Sequence, residues 1–194
     1  MNKPLGVILA GGRGLRMNGL DKAQCLLGGR PLIDHVFERL APQVERVAIN
    51  ANGDADRFSR FDVPLLADPF DGFLGPMSGV LAGMDWARGL GASHIVTAAT
   101  DTPFFPLDMV EKLQEVRASV VVARSAGRRH PVFALWDVSL ADQMRTDIAA
   151  GARRIGVWAD EQGAEAVSFD VSEGDPFYNI NTADDLQMAE KFLR

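Results

Sequence analysis

A chain of 194 residues with 47 % apolar and 24 % charged side chains is long enough for one domain with a full core. The net charge is −6, yet residues 1–60 carry nine Lys and Arg against six Asp and Glu, so positive charge is gathered early on an otherwise acidic body. That distribution favours a focused anion site and excludes a broad basic nucleic-acid groove. The single cysteine, Cys25, excludes an internal disulfide and a cysteine metal cluster. The start of the chain has no signal-peptide pattern and no run nears the ~18 apolar residues of a membrane span, so a soluble cytoplasmic protein with neither nucleic acid nor membrane as partner is expected.

Leu5 to Ala10 reads as a short buried strand. It empties into a loop holding Gly11, Gly12, Gly14 and Gly19 together with Arg13, Arg16 and Lys22. Glycine lets backbone N–H groups approach an anion, and the cations neutralise it, so the stretch suits a phosphate chain. It is not a Walker A loop, because Ala23 follows Lys22, and it lacks the third glycine of a dinucleotide fingerprint. Gly28-Gly29 reads as a tight turn, and residues 31–41 as an amphipathic helix with Ile33, Val36, Phe37 and Leu40 inward.

Val44 to Ile49 is the next strand. Asn50 at its end is either a turn residue or an amide that recognises a base. A third strand, Val63 to Ala67, closes at Asp68-Pro69. A helix from Ser78 to about Arg88 contains Gly79 and Gly83, whose helix cost of roughly 1 kcal/mol each against Ala implies close approach to a neighbour or a ligand. His94 to Thr100 carries no charged residue apart from His94 and reads as central in a parallel sheet, with Asp101 on the ligand-binding rim at its end, unless Asp101 serves only as a cap. A helix over Leu107–Val116 and a strand over Val120–Ala123 continue the alternation of strand and helix, which implies a mostly parallel sheet.

Arg128 to Trp136 breaks that order. Its link to the preceding strand is too short for a parallel crossover, so this strand is locally antiparallel. His130, beside two arginines, either binds an anion or is a satisfied surface histidine. Helices follow over Val138–Ala149 and Ala152–Trp158, then a short strand, Val167–Phe169. Thr182 with Asp185 three residues on forms a near capping box before a closing helix through Leu186, Ala189 and Leu193.

The rim therefore gathers the glycine loop, Arg16, Lys22, Asp68, Asp101 and Asn181. Histidines are too few and scattered for zinc. A carboxylate beside a phosphate site points to a hard divalent cation, Mg²⁺, which needs few protein ligands. Positioning plus electrostatics suits a nucleotide-using transferase; the failed fingerprint disfavours a dehydrogenase and the missing Walker pair a kinase.

The stretch LAGGRGLRMNGLDKAQCLLGGRPL resembles the signature of nucleotidyltransferases. With INANGD, LLADPFDGFLGPMSGVLAGM, ATDTPFFP, RRHPVFALW and FYNINTADDL, the chain is similar to the molybdenum cofactor guanylyltransferases. The resemblance implies a three-layer Rossmann-like α/β fold in one domain, with a nucleotide-binding half over about 1–105 and a pterin-substrate half over about 106–194. It implies transfer of GMP from GTP to the terminal phosphate of molybdopterin, with Mg²⁺ and release of pyrophosphate. It assigns Leu9, Ala10, Gly11, Gly12, Lys22, Asn50, Asp68 and Gly79 to the nucleotide. Asp101 falls to the metal, and Arg16, Gly19, Asn179 and Asn181 to the pterin. Arg16, Lys22 and Asp101 are the expected catalytic set. A monomer is expected, in transient contact with cofactor-biosynthesis proteins and recipient molybdoenzymes. The alternatives are a cytidylyltransferase on the same cofactor and a non-catalytic GTP-binding escort. One departure stands out: Ala99-Thr100-Asp101 occupies the place of the usual Pro-Cys-Asp.

Overall fold

The computed structural model describes residues 3–11, 22–72 and 74–193. Seven strands form one sheet in the spatial order β5-β4-β1-β6-β8-β7-β9. They are β1 (Leu5–Leu9), β4 (Val47–Asn50), β5 (Leu65–Leu66), β6 (His94–Ala99), β7 (Val120–Ser125), β8 (Arg128–Asp137) and β9 (Glu165–Ser168). The pairs β4/β5, β1/β4, β1/β6 and β7/β9 are parallel, while β8 runs antiparallel to both neighbours. The mostly parallel sheet with one locally reversed strand is thus present. A separate two-stranded hairpin, β2 (Leu26–Leu27) with β3 (Arg30–Pro31), leads into the first helix.

The reversal at β8 follows from its turn. β7 runs on to Ser125, so only Ala126 and Gly127 connect the strands, with φ of 46° and 78°. Positive φ at both central residues matches the twist of a two-residue hairpin, which can join only antiparallel strands.

Alternation along the strands divides the core into two layers. Ile8, Ile49, Val96, Val121 and Phe133 point to the side covered by α1 (Leu32–Leu40) and α3 (Met109–Gln114). Val7, Ile95, Val122 and Trp136 point to the side covered by α2 (Pro76–Gly89), α4 (Ala141–Ala149) and α5 (Ile155–Glu161). The buried Thr97 on β6 is satisfied: its hydroxyl donates to the Val132 carbonyl at 2.9 Å and accepts from the Trp136 indole at 3.0 Å. The last helix, α6 (Ala183–Ala189), packs with the hairpin around Cys25, Leu27, Leu32, Ile180 and Ala189.

Several boundaries differ from expectation, those of three helices among them. α2 begins at Pro76, two residues before Ser78, because Gly75 at φ 81° turns the chain and proline at the first helical position gives up only an N–H that would lack a partner. α3 is shorter than Leu107–Val116, and α5 lies over Ile155–Glu161, starting later than Ala152. No helix among the described residues is long and apolar enough to cross a membrane.

Candidate functional site

β1 lies between β4 and β6, so the chain leaves it toward opposite sides of the sheet. The carboxyl end of such a strand is the natural crevice of an open α/β sheet. Backbone bonds hold the crevice floor beyond the strands: Ala10 N–H donates to the Asn50 carbonyl at 2.8 Å, Ala51 N–H to Leu66 at 3.1 Å and Thr100 N–H to Leu9 at 3.4 Å. Leu9, Ala10 and Gly11 therefore sit between the Asn50 and Asp101 sides. Gly12, Arg16 and Gly19 lie outside the described residues.

On the β6 side, Lys22 begins a 3-10 turn, Lys22–Gln24, anchored by buried Ala23. Its Nζ donates to Asp101 Oδ2 at 2.7 Å and to Asn181 Oδ1 at 2.7 Å. The ion pair is roughly four-fifths buried at both side chains, 19 % and 22 % exposed. Three residues far apart in sequence thus meet at one point. Asp101 Oδ1 accepts from the Thr102 hydroxyl at 3.2 Å. Asp101 is not a helix cap; α3 starts eight residues later, at Met109. Thr100, the departure from the family pattern, is buried.

Asn181 is held by the capping box of α6. Thr182 Oγ1 accepts from Asp185 N–H at 3.1 Å, and Asp185 Oδ2 accepts from the N–H groups of Thr182 and Asn181, each at 2.9 Å. Tyr178 adds a hydroxyl donor to Asp185 Oδ1 at 3.1 Å. The Asn181 and Thr182 N–H donors and the Thr182 hydroxyl hold the Asp185 carboxyl below its ordinary range. Asn179, assigned with Asn181 to the pterin, is exposed.

On the β4 side, Asn50 is buried, and its Nδ2 donates to the Leu66 carbonyl at 3.0 Å and to Asp68 Oδ1 at 2.9 Å. Both amide hydrogens are directed within the protein, and Oδ1 is the remaining polar atom of the side chain. That oxygen lies against Gly79: a Cβ there would overlap it and come within 2.8 Å of Leu9 Cδ2. Gly79 thus admits α2 onto the ends of β1 and β4. Asn52, which the sequence did not single out beyond the INANGD stretch, accepts from Asp68 N–H at 3.0 Å and donates to Asp68 Oδ2 at 2.8 Å. Only a side chain with both donor and acceptor can do this, and strand periodicity carries no trace of it.

His130 is a satisfied histidine. It stacks on Phe177 at 4.6 Å, and its Nε2 lies 2.7 Å from Ser125 Oγ, whose hydroxyl donates to Asp175 at 2.7 Å. Burial pushes its pKa down, against the opposing pull of Asp175. The serine stands between acid and histidine, the wrong order for a nucleophilic triad.

No group of three or more His, Cys, Asp or Glu that could hold a metal occurs among the described residues. A single, largely buried carboxylate at the carboxyl end of β6 nevertheless fits Mg²⁺, which takes one or two carboxylates and draws its remaining ligands from substrate phosphate and water.

The family model of the MobA-like NTP transferase domain matches residues 6–164. The chain is 50 % identical to a molybdenum cofactor guanylyltransferase of Rhodobacter capsulatus, covering 97 % of this chain and 96 % of the relative. It is 43 % identical to one of Mesorhizobium japonicum, covering 97 % and 95 %. The structure of molybdopterin-guanine dinucleotide biosynthesis protein A from Archaeoglobus fulgidus superposes with a TM-score of 0.79 at 26 % identity, covering 97 % of this chain and 98 % of that one. With the same overall fold and this depth of similarity along nearly its whole length, the chain belongs to the molybdenum cofactor guanylyltransferase family of MobA-like nucleotidyltransferases.

Proposed function

We propose that the protein transfers GMP from GTP to the terminal phosphate of molybdopterin. An oxygen of the pterin phosphate attacks the α-phosphorus of GTP. The bond from that phosphorus to the bridging α–β oxygen breaks, and pyrophosphate leaves with its electrons. The observation that supports this best is the meeting of Lys22, Asp101 and Asn181 at the carboxyl rim.

The nucleophile is a phosphate monoester, whose second pKa near ≈ 6 leaves it largely ionised at neutral pH. No strong general base is needed, in keeping with a described rim that has no histidine. The obstacle is repulsion between two anions, and the remedy is cations preset where charge develops. Lys22 supplies one at the phosphates, held by Asn181, and Arg16 of the glycine loop a second. Asp101 would hold Mg²⁺, which supplies Lewis-acid stabilisation of the phosphoryl oxygens. Leu9, Ala10, Gly11 and Gly12 line the nucleotide with their backbone, Asn50 and Asp68 face the base, and Gly79 lets α2 close over it. Gly19, Asn179 and Asn181 lie toward the pterin, so that the nucleotide half is about 1–105 and the pterin half about 106–194. On this reading the protein works in the cytoplasm as a monomer. It exchanges its labile pterin with cofactor-biosynthesis proteins and recipient molybdoenzymes.

The test is pyrophosphate release from purified protein with Mg²⁺ and molybdopterin, comparing GTP, CTP and ATP. Pterin-dependent release with GTP is expected. Release with CTP instead would make the protein a cytidylyltransferase, and GTP binding without release would make it an escort.

A further inference from the structure

We propose that Asn52 is a positioning residue that sets the guanine-reading carboxylate of Asp68, and so contributes to nucleotide choice without touching the nucleotide. This rests on the guanylyl-transfer reading and goes beyond it by naming how the base is discriminated.

Asn52 grips one residue at two points. Its Oδ1 takes the Asp68 backbone N–H at 3.0 Å and its Nδ2 holds Asp68 Oδ2 at 2.8 Å. The closed ring fixes both the backbone and the side-chain torsion of Asp68. Asn50 Nδ2 holds the other oxygen, Oδ1, at 2.9 Å. Each carboxylate oxygen thus receives one neutral amide donor and keeps acceptor capacity. No ion pair to Asp68 occurs among the described residues.

A carboxylate held this way offers two acceptors side by side. Guanine answers with two adjacent donors, N1–H and the 2-amino group. Cytosine and adenine place an acceptor next to a donor, which would leave one carboxylate oxygen facing a lone pair. The reading depends on the torsion of Asp68, and here the two asparagines differ. Asn50 is a buried strand residue pressed beneath α2, fixed by packing. Asn52 lies beyond the strand, half-buried, and is placed by its own carbonyl, which accepts from Arg57 at 2.8 Å. Arg57 in turn stacks over Phe58 at 4.7 Å, and its carbonyl accepts from Gln24 at 3.3 Å, two residues past Lys22. A continuous set of contacts therefore runs from the phosphate lysine's turn to the base carboxylate.

The test compares GTP with inosine triphosphate, whose base lacks the 2-amino group. Affinities are measured by calorimetry on the purified full chain with Mg²⁺, and kcat by pterin-dependent pyrophosphate release. Asn52→Ala should weaken GTP about tenfold and inosine triphosphate less than about threefold, with kcat at saturating GTP within about threefold. Asn52→Asp keeps the acceptor for the Asp68 N–H but sets a charge against Asp68, and should weaken GTP further than alanine does. Asp68→Asn should abolish the preference for GTP over inosine triphosphate, and adding Asn52→Ala to it should cost less than about twofold more. Equal losses on both nucleotides, a loss confined to kcat, or full additivity with Asp68→Asn would overturn the role of Asn52. An unchanged preference in Asp68→Asn would remove base reading by Asp68, and with it this inference. Guanylyl transfer itself falls only if the wild type releases no pyrophosphate from GTP.

Discussion

Ile180 donates its backbone N–H to the carbonyl oxygen of Asp101 at 2.7 Å. That bond docks the stretch before α6 onto a rim residue two positions past the end of β6. One residue later, Asn181 reaches Lys22. Lys22 is thus held by a rim residue from the middle of the chain and by a loop near its end, so its placement depends on both.

Asp101→Ala should lower turnover by at least ~10²-fold while GTP still binds, since it removes charge stabilisation needed mainly in the transition state. A Mg²⁺ titration checks it: wild-type turnover should rise with Mg²⁺ and the variant's should stay flat. Lys22→Ala should reduce kcat by a similar factor and weaken catalysis more than folding, which comparing kcat with the urea midpoint checks.

Gly79→Ala should destabilise the fold by about 1–3 kcal/mol, because its methyl has no room beside Asn50 and Leu9. Gly83→Ala supplies the contrast. Its Cβ would come within 2.7 Å of Val7 Cγ2, deep in the core rather than at the rim. Both should lower the denaturation midpoint, but only Gly79→Ala should also weaken GTP binding.

The Asp185 carboxyl is held below its ordinary value by the N–H groups that it accepts. The unfolded chain takes up this proton first, so the contribution is full above the usual carboxylate range and is lost as pH falls through the lowered folded value. Urea midpoints from pH 3 to 7 should fall less steeply at the acid end in Asp185→Asn. Thr182→Ala, which removes the cap acceptor, should cost about 1 kcal/mol at neutral pH.

His130 works in the same direction at higher pH. Burial depresses its pKa from 6.5, so the unfolded state binds the proton first. Stability should be full above that value and decline as pH drops below it toward the folded value. His130→Gln should flatten this part of the curve, measured as the thermal midpoint between pH 5 and 7.5.

Much of this arrangement was legible in the residues. The nearly uncharged β6 and the short link before β8 fixed a mostly parallel sheet with one reversal, because burial on both faces and loop length leave clear marks in sequence. The hairpin β2–β3 left only its Gly28-Gly29 turn, since strands of two residues have no period to detect. The six-residue 3-10 turn Asp56–Phe61 went unread for the same reason. At the site, glycines, cations and rim carboxylates could be listed from the chain alone. Which of them touch could not. The clamp of Asn52 on Asp68 and the hold of Asn181 on Lys22 pair side chains through space, and hydrophobic patterning is silent about such pairs.

The bond from Ile180 to Asp101 also bears on the order in which the protein is made. Lys22 and Asp101 leave the ribosome well before Asn181, and β1, β4 and β6 can pair while the remainder is still being translated. The nascent chain then has the floor of its crevice without the oxygen that steadies Lys22. On the proposed reading, competence for transfer arrives last, with α6, so termination between Ser168 and Asn181 would leave all seven strands of the sheet but a rim without its third member.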